Sequence, residues 1–314
     1  MLAGLTIIVL IYLLAPGLSG ARRYISDAAP GWLVLAVALE AASAVSYVLM
    51  FRPVFCRTMP WAESFQIGFS ELGVGSIVPA SGAGGLALGA WILRRRGMST
   101  GRIARGSVAF FLIESSVNFV AVAVIGLLLA FHAIGPAQPL WLTLGPAILA
   151  ILTIAAVLVI PRFGEGAPAA PDAGGARRAW AATRRWLVGG TSEAWEIIKT
   201  RDVLVLAGSI GYWAFDNAVL WATFHAVGNV PPLSVILIGY LIGQMGGLLP
   251  LPGGVGGIDG GLIGTLIVYG APAAATAAAV LIYRLILFWL PLALGGPAFV
   301  ALWRRTRRRK PAFS

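Results

Sequence analysis

Long apolar runs alternate with short polar segments along this chain of 314 residues. Two apolar segments, 65–93 and 252–270, are interrupted by glycine and proline. The other runs are long enough to cross a hydrocarbon core of about 30 Å as α-helices. They cover 2–18, 31–51, 107–131, 140–160, 203–224, 233–251 and 272–302. The pattern predicts an all-α, polytopic integral membrane protein with about 7–9 transmembrane or re-entrant helical segments.

Composition excludes several other classes of protein. Charged residues make up 11% of the chain, and the mean hydropathy is +0.87. Too few polar side chains remain to cover a soluble surface, so an ordinary soluble globule, a disordered chain and a nucleic-acid-binding domain are excluded. The single cysteine, Cys56, rules out an intramolecular disulfide. The two histidines, His132 and His225, fall near predicted loops, and we expect neither a metal site nor a cofactor.

Basic residues mark the predicted topology. All but one of the 23 lie near predicted membrane boundaries, with clusters at 94–105, 161–202 and 304–310. These clusters alternate with loops 132–139 and 225–232, which carry no Lys, Arg, Asp or Glu. By the positive-inside rule, the basic segments and the C-terminus face the cytoplasm, and the uncharged loops face outward. We therefore expect a multi-pass protein of the cytoplasmic membrane whose basic face meets anionic lipids, with no nucleic-acid partner.

One long polar stretch, 161–202, divides the chain. It begins as a linker rich in proline, glycine and alanine, and continues as an amphipathic segment at 176–200 that mixes tryptophans with arginines. This composition is typical of an interfacial helix. The predicted organisation is an N-terminal membrane half (1–160), a cytoplasmic linker and helix (161–202), a C-terminal membrane half (203–303) and a basic tail (304–314).

The two interrupted segments resemble each other. GVGSIVPASGAGGLALG (73–89) aligns with GGLLPLPGGVGGIDGG (246–261) so that Pro79 pairs with Pro250 and Gly82 with Gly253. Broken helices are tolerated in a membrane where they line a cavity or pack inside protein, and a matched pair points to a transporter site between repeats. The first segment ends at the inside arginines and the second ends outside, so the repeats are predicted to be inverted. Close helix packing through glycine is the alternative explanation.

Ionisable residues inside predicted membrane segments are costly and therefore functional candidates. Arg284 lies deep in the last span and needs an acidic partner or an anionic ligand. Its guanidinium suits a phosphate group, and a buried pair with Asp259 or Asp216 is the alternative. Both can hold if an ion pair opens to receive a phosphate.

The remaining acidic candidates differ in their expected roles. Asp259 follows the glycine-rich turn, where it either caps a short helix or takes part in transport. Glu114 and Asn118 are four residues apart and share one helix face. We expect Glu40 and Asp216 to form interhelical hydrogen bonds, and Glu71 to line the cavity of the first interrupted segment. No catalytic constellation is recognisable, so no catalytic residue is predicted.

These motifs resemble the flippase-like membrane family, the transmembrane region of lysylphosphatidylglycerol synthases. That family has a P-x-P-G-G-x-G-x-x-E segment followed by a helix with a Tyr-Arg pair. Tyr283 and Arg284 match the pair, and Asp259 stands at the acidic position. In the first half, Ser115 and Asn118 replace the arginine and aspartate of a similar E-R-x-x-D run that keeps Glu114. The segment residues that match are Pro250, Pro252, Gly253, Gly254 and Gly256.

The resemblance implies lipid binding or translocation rather than aminoacyl transfer, because the soluble transferase domain is absent. We expect a non-enzymatic protein that binds and translocates an anionic lipid, either a phospholipid or a polyprenyl-phosphate-linked glycan. An accessory subunit or enzyme of a glycolipid or lipid-modification pathway is one alternative, and a scaffold that docks a partner through 176–201 is another. Anionic lipids are the expected partners, and a homo-oligomer or a lipid-biosynthesis partner is possible.

Three groups of residues are assigned to this expected function. Lipid phosphate is held by Arg284, Tyr283, Gly253, Gly254, Gly256 and Gly257. Gating or proton coupling falls to Asp259, Glu114, Glu71, Asn118 and Asp216. Helix breaks are set by Pro79, Pro250 and Pro252.

Overall fold

Every regular element in the described residues is a helix. The computed structural model describes residues 19–77, 83–167, 174–244 and 257–306, and no strand occurs among them. The helices are α1 (Ser19–Ser26), α2 (Pro30–Phe55), α3 (Trp61–Ile77), α4 (Ala83–Arg95), α5 (Thr100–Ala130), α6 (Leu140–Val159), α7 (Gly175–Lys199), α8 (Val203–Ala226), α9 (Leu233–Gln244), α10 (Gly257–Val268) and α11 (Ala273–Thr306). A short 3-10 turn, Ile160–Phe163, extends α6.

Five of these helices are long and apolar enough to cross a membrane: α2, α5, α6 with its 3-10 turn, α8 and α11. They coincide with five of the predicted spans, which confirms the prediction of a polytopic α-helical membrane protein. The predicted span 2–18 lies outside the described residues. Of the span predicted at 233–251, residues 233–244 form α9, a helix of 12 residues, and residues 245–251 lie outside the described residues.

The helix ends gather on two faces of the molecule. On one, which we call the basic face, Arg96 pairs with Glu63 at 2.8 Å, Arg57 pairs with Asp202, and Arg102 donates to the Val54 carbonyl at 3.1 Å. These contacts bring together the ends of α2 and α4 and the starts of α3, α5 and α8. The described arginines of the clusters at 94–105 and 161–202 therefore converge on one side of the helices.

The uncharged loops gather on the opposite face. Ala29, before α2, donates its N–H to the carbonyl of Ala226 at the end of α8, at 2.9 Å. Gln138 donates to the carbonyl of Tyr269, at 3.3 Å, and the Tyr269 hydroxyl donates to the carbonyl of Leu142. The starts of α2, α6 and α11 and the ends of α8 and α10 thus share this face.

The first glycine-broken segment is a re-entrant hairpin. Helices α3 and α4 run antiparallel, and the Arg96–Glu63 pair joins the two outer ends of the hairpin at the basic face. They pack so closely that a Cβ atom on Gly89 would lie 1.4 Å from Oε1 of Glu71. Segment 65–93 therefore enters and leaves on the same side rather than crossing.

A second hairpin is formed by α9, from the span predicted at 233–251, and α10, from the second interrupted segment, 252–270. A Cβ atom on Gly243 would lie 2.7 Å from the Cα of Leu262, and Gly239 faces Leu266, so these two helices are antiparallel as well. Both outer ends lie at the opposite face, near Gly135 and Tyr269. The two hairpins therefore enter the protein from opposite sides.

The two halves are inverted repeats of helix, hairpin and helix. The first half runs α2, α3–α4, α5, and the second runs α8, α9–α10, α11. The equivalent helices α2 and α8 pack along each other in opposite directions: Ser43 donates to the Tyr212 carbonyl at 3.2 Å, and Gly208 lies against Ser46 and Met50. Because equivalent helices run antiparallel, the predicted inversion is confirmed.

Two apolar cores lie toward the two faces, and each includes residues of both halves. The core nearer the basic face includes Phe51, Phe110 and Leu302, and the core nearer the opposite face includes Leu129, Phe224 and Tyr283. Helix α7 lies at the basic face and packs on α5 through Gly190, where a Cβ would lie 2.5 Å from Cβ of Val108. The domain boundaries drawn from the sequence stay a prediction.

Candidate functional site

A buried ion pair joins the second hairpin to the last helix. Arg284 on α11 forms a salt bridge through Nε with the carboxylate of Asp259 on α10. The two side chains keep 22% and 23% of their surface accessible, so the pair is largely enclosed without being sealed. Of the two acidic partners considered from the sequence, Asp259 forms the ion pair. Asp216 still lies close enough to Arg284 to interact with it electrostatically.

Asp216 is held by two tyrosines from two other helices. The hydroxyl of Tyr283 on α11 donates to Oδ1 of Asp216 at 3.0 Å, and the hydroxyl of Tyr240 on α9 donates to Oδ2. Tyr240 is itself hydrogen-bonded by Gln244. This confirms the interhelical hydrogen bonds expected for Asp216. These hydrogen bonds hold α8, α9 and α11 together, and one of their donors, Tyr283, immediately precedes Arg284 in the chain.

Two further carboxyl groups approach Asp216. Glu40 on α2 and Glu114 on α5 both interact with it electrostatically. Glu40 is 7% exposed and makes no hydrogen bond among the described residues, so the hydrogen bond predicted for it is not seen. Three acidic side chains from three helices therefore share one region with the cation of Arg284. Buried like charges repel strongly, so these carboxylates need a compensating positive charge, which Arg284 or a ligand can supply.

Glu71 occupies the first hairpin rather than this cluster. It is 3% exposed, and its Oε2 accepts a hydrogen bond from the Tyr47 hydroxyl at 2.9 Å. The Tyr47 ring is 5.5 Å from the ring of Tyr212, and Tyr212 interacts electrostatically with Glu114, Asp216 and Glu40. Glu71 thus connects to the central acids through two tyrosines on α2 and α8.

The amide side chains divide into structural and unassigned groups. Asn217 donates to the carbonyl of Trp213 at 2.9 Å, within its own helix, and faces away from Asp216. Asn118 lies one turn after Glu114, and its buried Oδ1 has no hydrogen-bond partner among the described residues. A buried acceptor without a donor is costly, so Asn118 has unused capacity to bind a ligand group.

The proline and glycine candidates lie outside the described residues or at their edge. Pro79, Pro250, Pro252, Gly253, Gly254 and Gly256 lie outside the described residues, and Gly257 begins α10. Within the described ranges, no group of three or more His, Cys, Asp or Glu side chains is arranged to hold a metal ion.

Several members of the site went unnoticed in the sequence. Tyr47, Tyr212 and Tyr240 stand in apolar helices, where a tyrosine usually reads as a core residue. Glu63 and Arg96 form a buried pair that closes the first hairpin, yet each sits beside a predicted boundary, where charge is expected. The available signal was spacing: Tyr47 is seven residues after Glu40, and Tyr240 is four residues before Gln244, so each pair shares a helix face.

These observations define a class: a polytopic α-helical membrane protein of two inverted repeats, with a buried Arg–Asp pair beside a tyrosine-held carboxylate. The model of the family described as the lysylphosphatidylglycerol synthase TM region matches residues 1–295. The chain belongs to this family, which confirms the resemblance carried by its motifs.

Relatives in Methanothermobacter thermautotrophicus (strain Delta H) carry the name "UPF0104 membrane protein". One is 27% identical over 327 residues, which cover 94% of this chain and 90% of the relative. Another is 32% identical over 84 residues, or 26% of this chain and 25% of the relative. A third is 32% identical over 102 residues, which cover 32% of this chain and 30% of the relative. The alignment thus spans almost all of one relative and a third or less of the other two.

Proposed function

We propose that this protein binds anionic membrane lipids and moves their headgroups between the two leaflets. The observation that carries the proposal is the Arg284–Asp259 ion pair, which links the second hairpin to α11. A guanidinium binds two phosphate oxygens at once, so a lipid phosphate can replace the aspartate as its partner. Membership of a family named for a lipid synthase supports a lipid ligand.

The inverted hairpins supply a route for exchange between leaflets. One opens toward the basic face and the other toward the opposite face, so alternate loosening would expose the central site to each side in turn. In this proposal Arg284, Tyr283 and the glycine-turn N–H groups of Gly253, Gly254, Gly256 and Gly257 hold the phosphate. Asp259 is the internal counter-ion that must release Arg284 first, while Glu114, Glu71, Asn118 and Asp216 serve in gating.

Several finer assignments belong to the same proposal. The basic face is cytoplasmic, as the positive-inside rule requires, and the protein resides in the cytoplasmic membrane. Its role is transport rather than catalysis. A homo-oligomer or a lipid-biosynthesis partner would be compatible with the exposed apolar helix faces.

The proposal is tested by lipid scrambling in proteoliposomes. Purified protein is reconstituted with a trace of fluorescent phosphatidylglycerol, and dithionite bleaching measures the fraction of label that reaches the outer leaflet. Arg284→Ala should lower the flipping rate at least about tenfold, since one charge-assisted hydrogen-bond pair to phosphate is worth more than about 1.4 kcal/mol.

Arg23→Ala is the matched control, because it removes an arginine whose side chain is 89% exposed. It should flip lipid at the wild-type rate. Equal rates for wild type and Arg284→Ala, or no flipping above protein-free vesicles, would overturn the assignment.

A further inference from the structure

The N-terminal part of α7 is an exposed basic surface. Residues 175–180 are exposed throughout, whereas Val188, Gly189, Gly190, Thr191 and Ala194 are buried. The buried part rests on α5, and the Arg102–Glu193 ion pair fastens it there. Helix α7 is therefore anchored at its second half and projects its first half from the protein.

The projecting half carries positive charge with no compensating acid on the helix. It contains Arg177, Arg178, Arg184 and Arg185, whereas the two acids of α7, Glu193 and Glu196, both lie in the anchored second half. Arg184 donates to the carbonyl of Phe163 at 2.7 Å, which is a neutral acceptor. The surface thus offers a concentrated field of one sign to an anionic partner.

The same half also exposes large apolar side chains. Trp180 is 71% exposed and Leu187 is 46% exposed. They are seven residues apart and lie on one stripe of the helix, with Arg184 between them. Tryptophan and leucine beside arginine are the residue types that settle at the boundary between acyl chains and headgroups.

The position of α7 indicates which partner binds its exposed half. It lies at the basic face, where α2 and α4 end and α5 and α8 begin, so its partner must lie at that edge of the bilayer. A lipid headgroup layer is present there in every state of the protein. Charge complementarity then selects anionic headgroups over zwitterionic ones.

We propose that the N-terminal half of α7 is a docking surface for the anionic phospholipid headgroups of the leaflet next to the basic face. The arginines bind the phosphates, and Trp180 and Leu187 insert beneath them. This site is separate from the Arg284–Asp259 pair and does not depend on lipid translocation. Because α7 is fastened to α5, the helix that bears Glu114, headgroup binding at the surface would also restrain that helix.

Hydrogen–deuterium exchange of the full chain in nanodiscs tests this proposal. Nanodiscs of phosphatidylcholine alone are compared with nanodiscs that also contain phosphatidylglycerol. Amide exchange in 175–187 should slow by about tenfold or more when phosphatidylglycerol is present, since each arginine near an anionic surface adds attraction. The double variant Arg177→Gln with Arg178→Gln should lose most of this protection, and Trp180→Ala should weaken it in both lipid mixtures.

The matched control is Lys199→Gln with Arg201→Gln, which removes the same charge beyond the anchored end of α7. It should keep the lipid-dependent protection. Equal exchange in the two lipid mixtures, or equal loss of protection in both double variants, would overturn the proposal. Protection in neutral nanodiscs that grows with the number of copies per disc would instead identify a second copy of the chain as the occupant.

Discussion

At the scale of single residues, the buried carboxyl groups are each given different partners by different helices. Asp259 pairs with a guanidinium, Asp216 accepts hydrogen bonds from two tyrosines, and Glu71 accepts one from Tyr47. Glu40 has no hydrogen bond among the described residues. A buried carboxyl group is tolerated in a membrane protein when neighbouring groups offset the cost of burying it. The acids with fewer protein partners therefore have more capacity to interact with a ligand.

Position 89 must be glycine because the Glu71 carboxyl group packs directly against it. The Oε1 of Glu71 occupies the place where a side chain on Gly89 would begin. Gly89→Ala should therefore displace the buried Glu71 carboxylate from the Tyr47 hydroxyl and lower the free energy of unfolding by about 1–3 kcal/mol, despite the better helix propensity of alanine. Thermal unfolding in detergent, followed by circular dichroism, measures the change.

Gly296→Ala provides the comparison, because nothing lies within 4 Å of a Cβ placed there on α11. It should be neutral or stabilising. A Gly89→Ala protein as stable as the wild type would show that Glu71 does not hold this position.

At the scale of elements, the first hairpin is closed by a buried ion pair. Arg96 and Glu63 are 7% and 8% exposed, and their atoms approach to 2.8 Å. Removing one partner leaves the other charge buried and unpaired, which costs far more than loss of a surface pair. The pair therefore fixes the two ends of α3–α4 at the basic face, where the hairpin would otherwise splay.

Arg96→Ala should lower the free energy of unfolding by about 3–5 kcal/mol, because the Glu63 carboxylate loses its counter-ion. The double variant Glu63→Gln with Arg96→Met should recover much of that loss. Thermal unfolding of Glu63→Gln, Arg96→Met and their double variant closes a mutant cycle and gives the coupling energy directly.

The exposed Arg23–Asp27 pair is the control for this experiment. Its side chains are 89% and 70% exposed, so Asp27→Ala should change stability by less than about 0.5 kcal/mol. Similar losses for Asp27→Ala and Arg96→Ala would contradict the role given to the buried pair.

At the scale of the whole molecule, the inverted arrangement predicts which loops share a side of the membrane. Both outer ends of α3–α4 lie at the basic face, and both outer ends of α9–α10 lie at the opposite face. Separate membrane crossings by 65–93, 233–251 and 252–270 would instead place the two ends of each of these segments on opposite sides of the membrane.

Single cysteines introduced into a Cys56→Ser background test that topology with a membrane-impermeant maleimide. Ala62→Cys and Thr100→Cys should react only after the cytoplasmic side is opened. Val230→Cys and Pro272→Cys should react from outside in intact cells. Labelling of Ala62→Cys and Thr100→Cys from different sides would show that the first hairpin crosses the membrane.

The sequence by itself determined the class of protein, five of the long helices, the placing of the arginines of 94–105 and 177–201 at one face, and the set of ionisable candidates. These features depend on local composition, since a helix in lipid must satisfy its own backbone and its charges must sit near water. The repeated glycine–proline segments likewise revealed the two halves and their inversion.

The tertiary structure alone decided that segment 65–93 is a hairpin and that α9 and α10 form a second one. It also decided that Asp259 forms the ion pair with Arg284, and that tyrosines link Glu71 and Asp216 to the other helices. Each of these depends on which remote helix lies opposite a given face. Tyr240 and Asp216 are 24 residues apart, and Tyr283 and Asp216 are 67 apart. Packing of α2 on α8, and of each hairpin against the other half, brings such residues together, and hydropathy along the chain carries no record of that pairing.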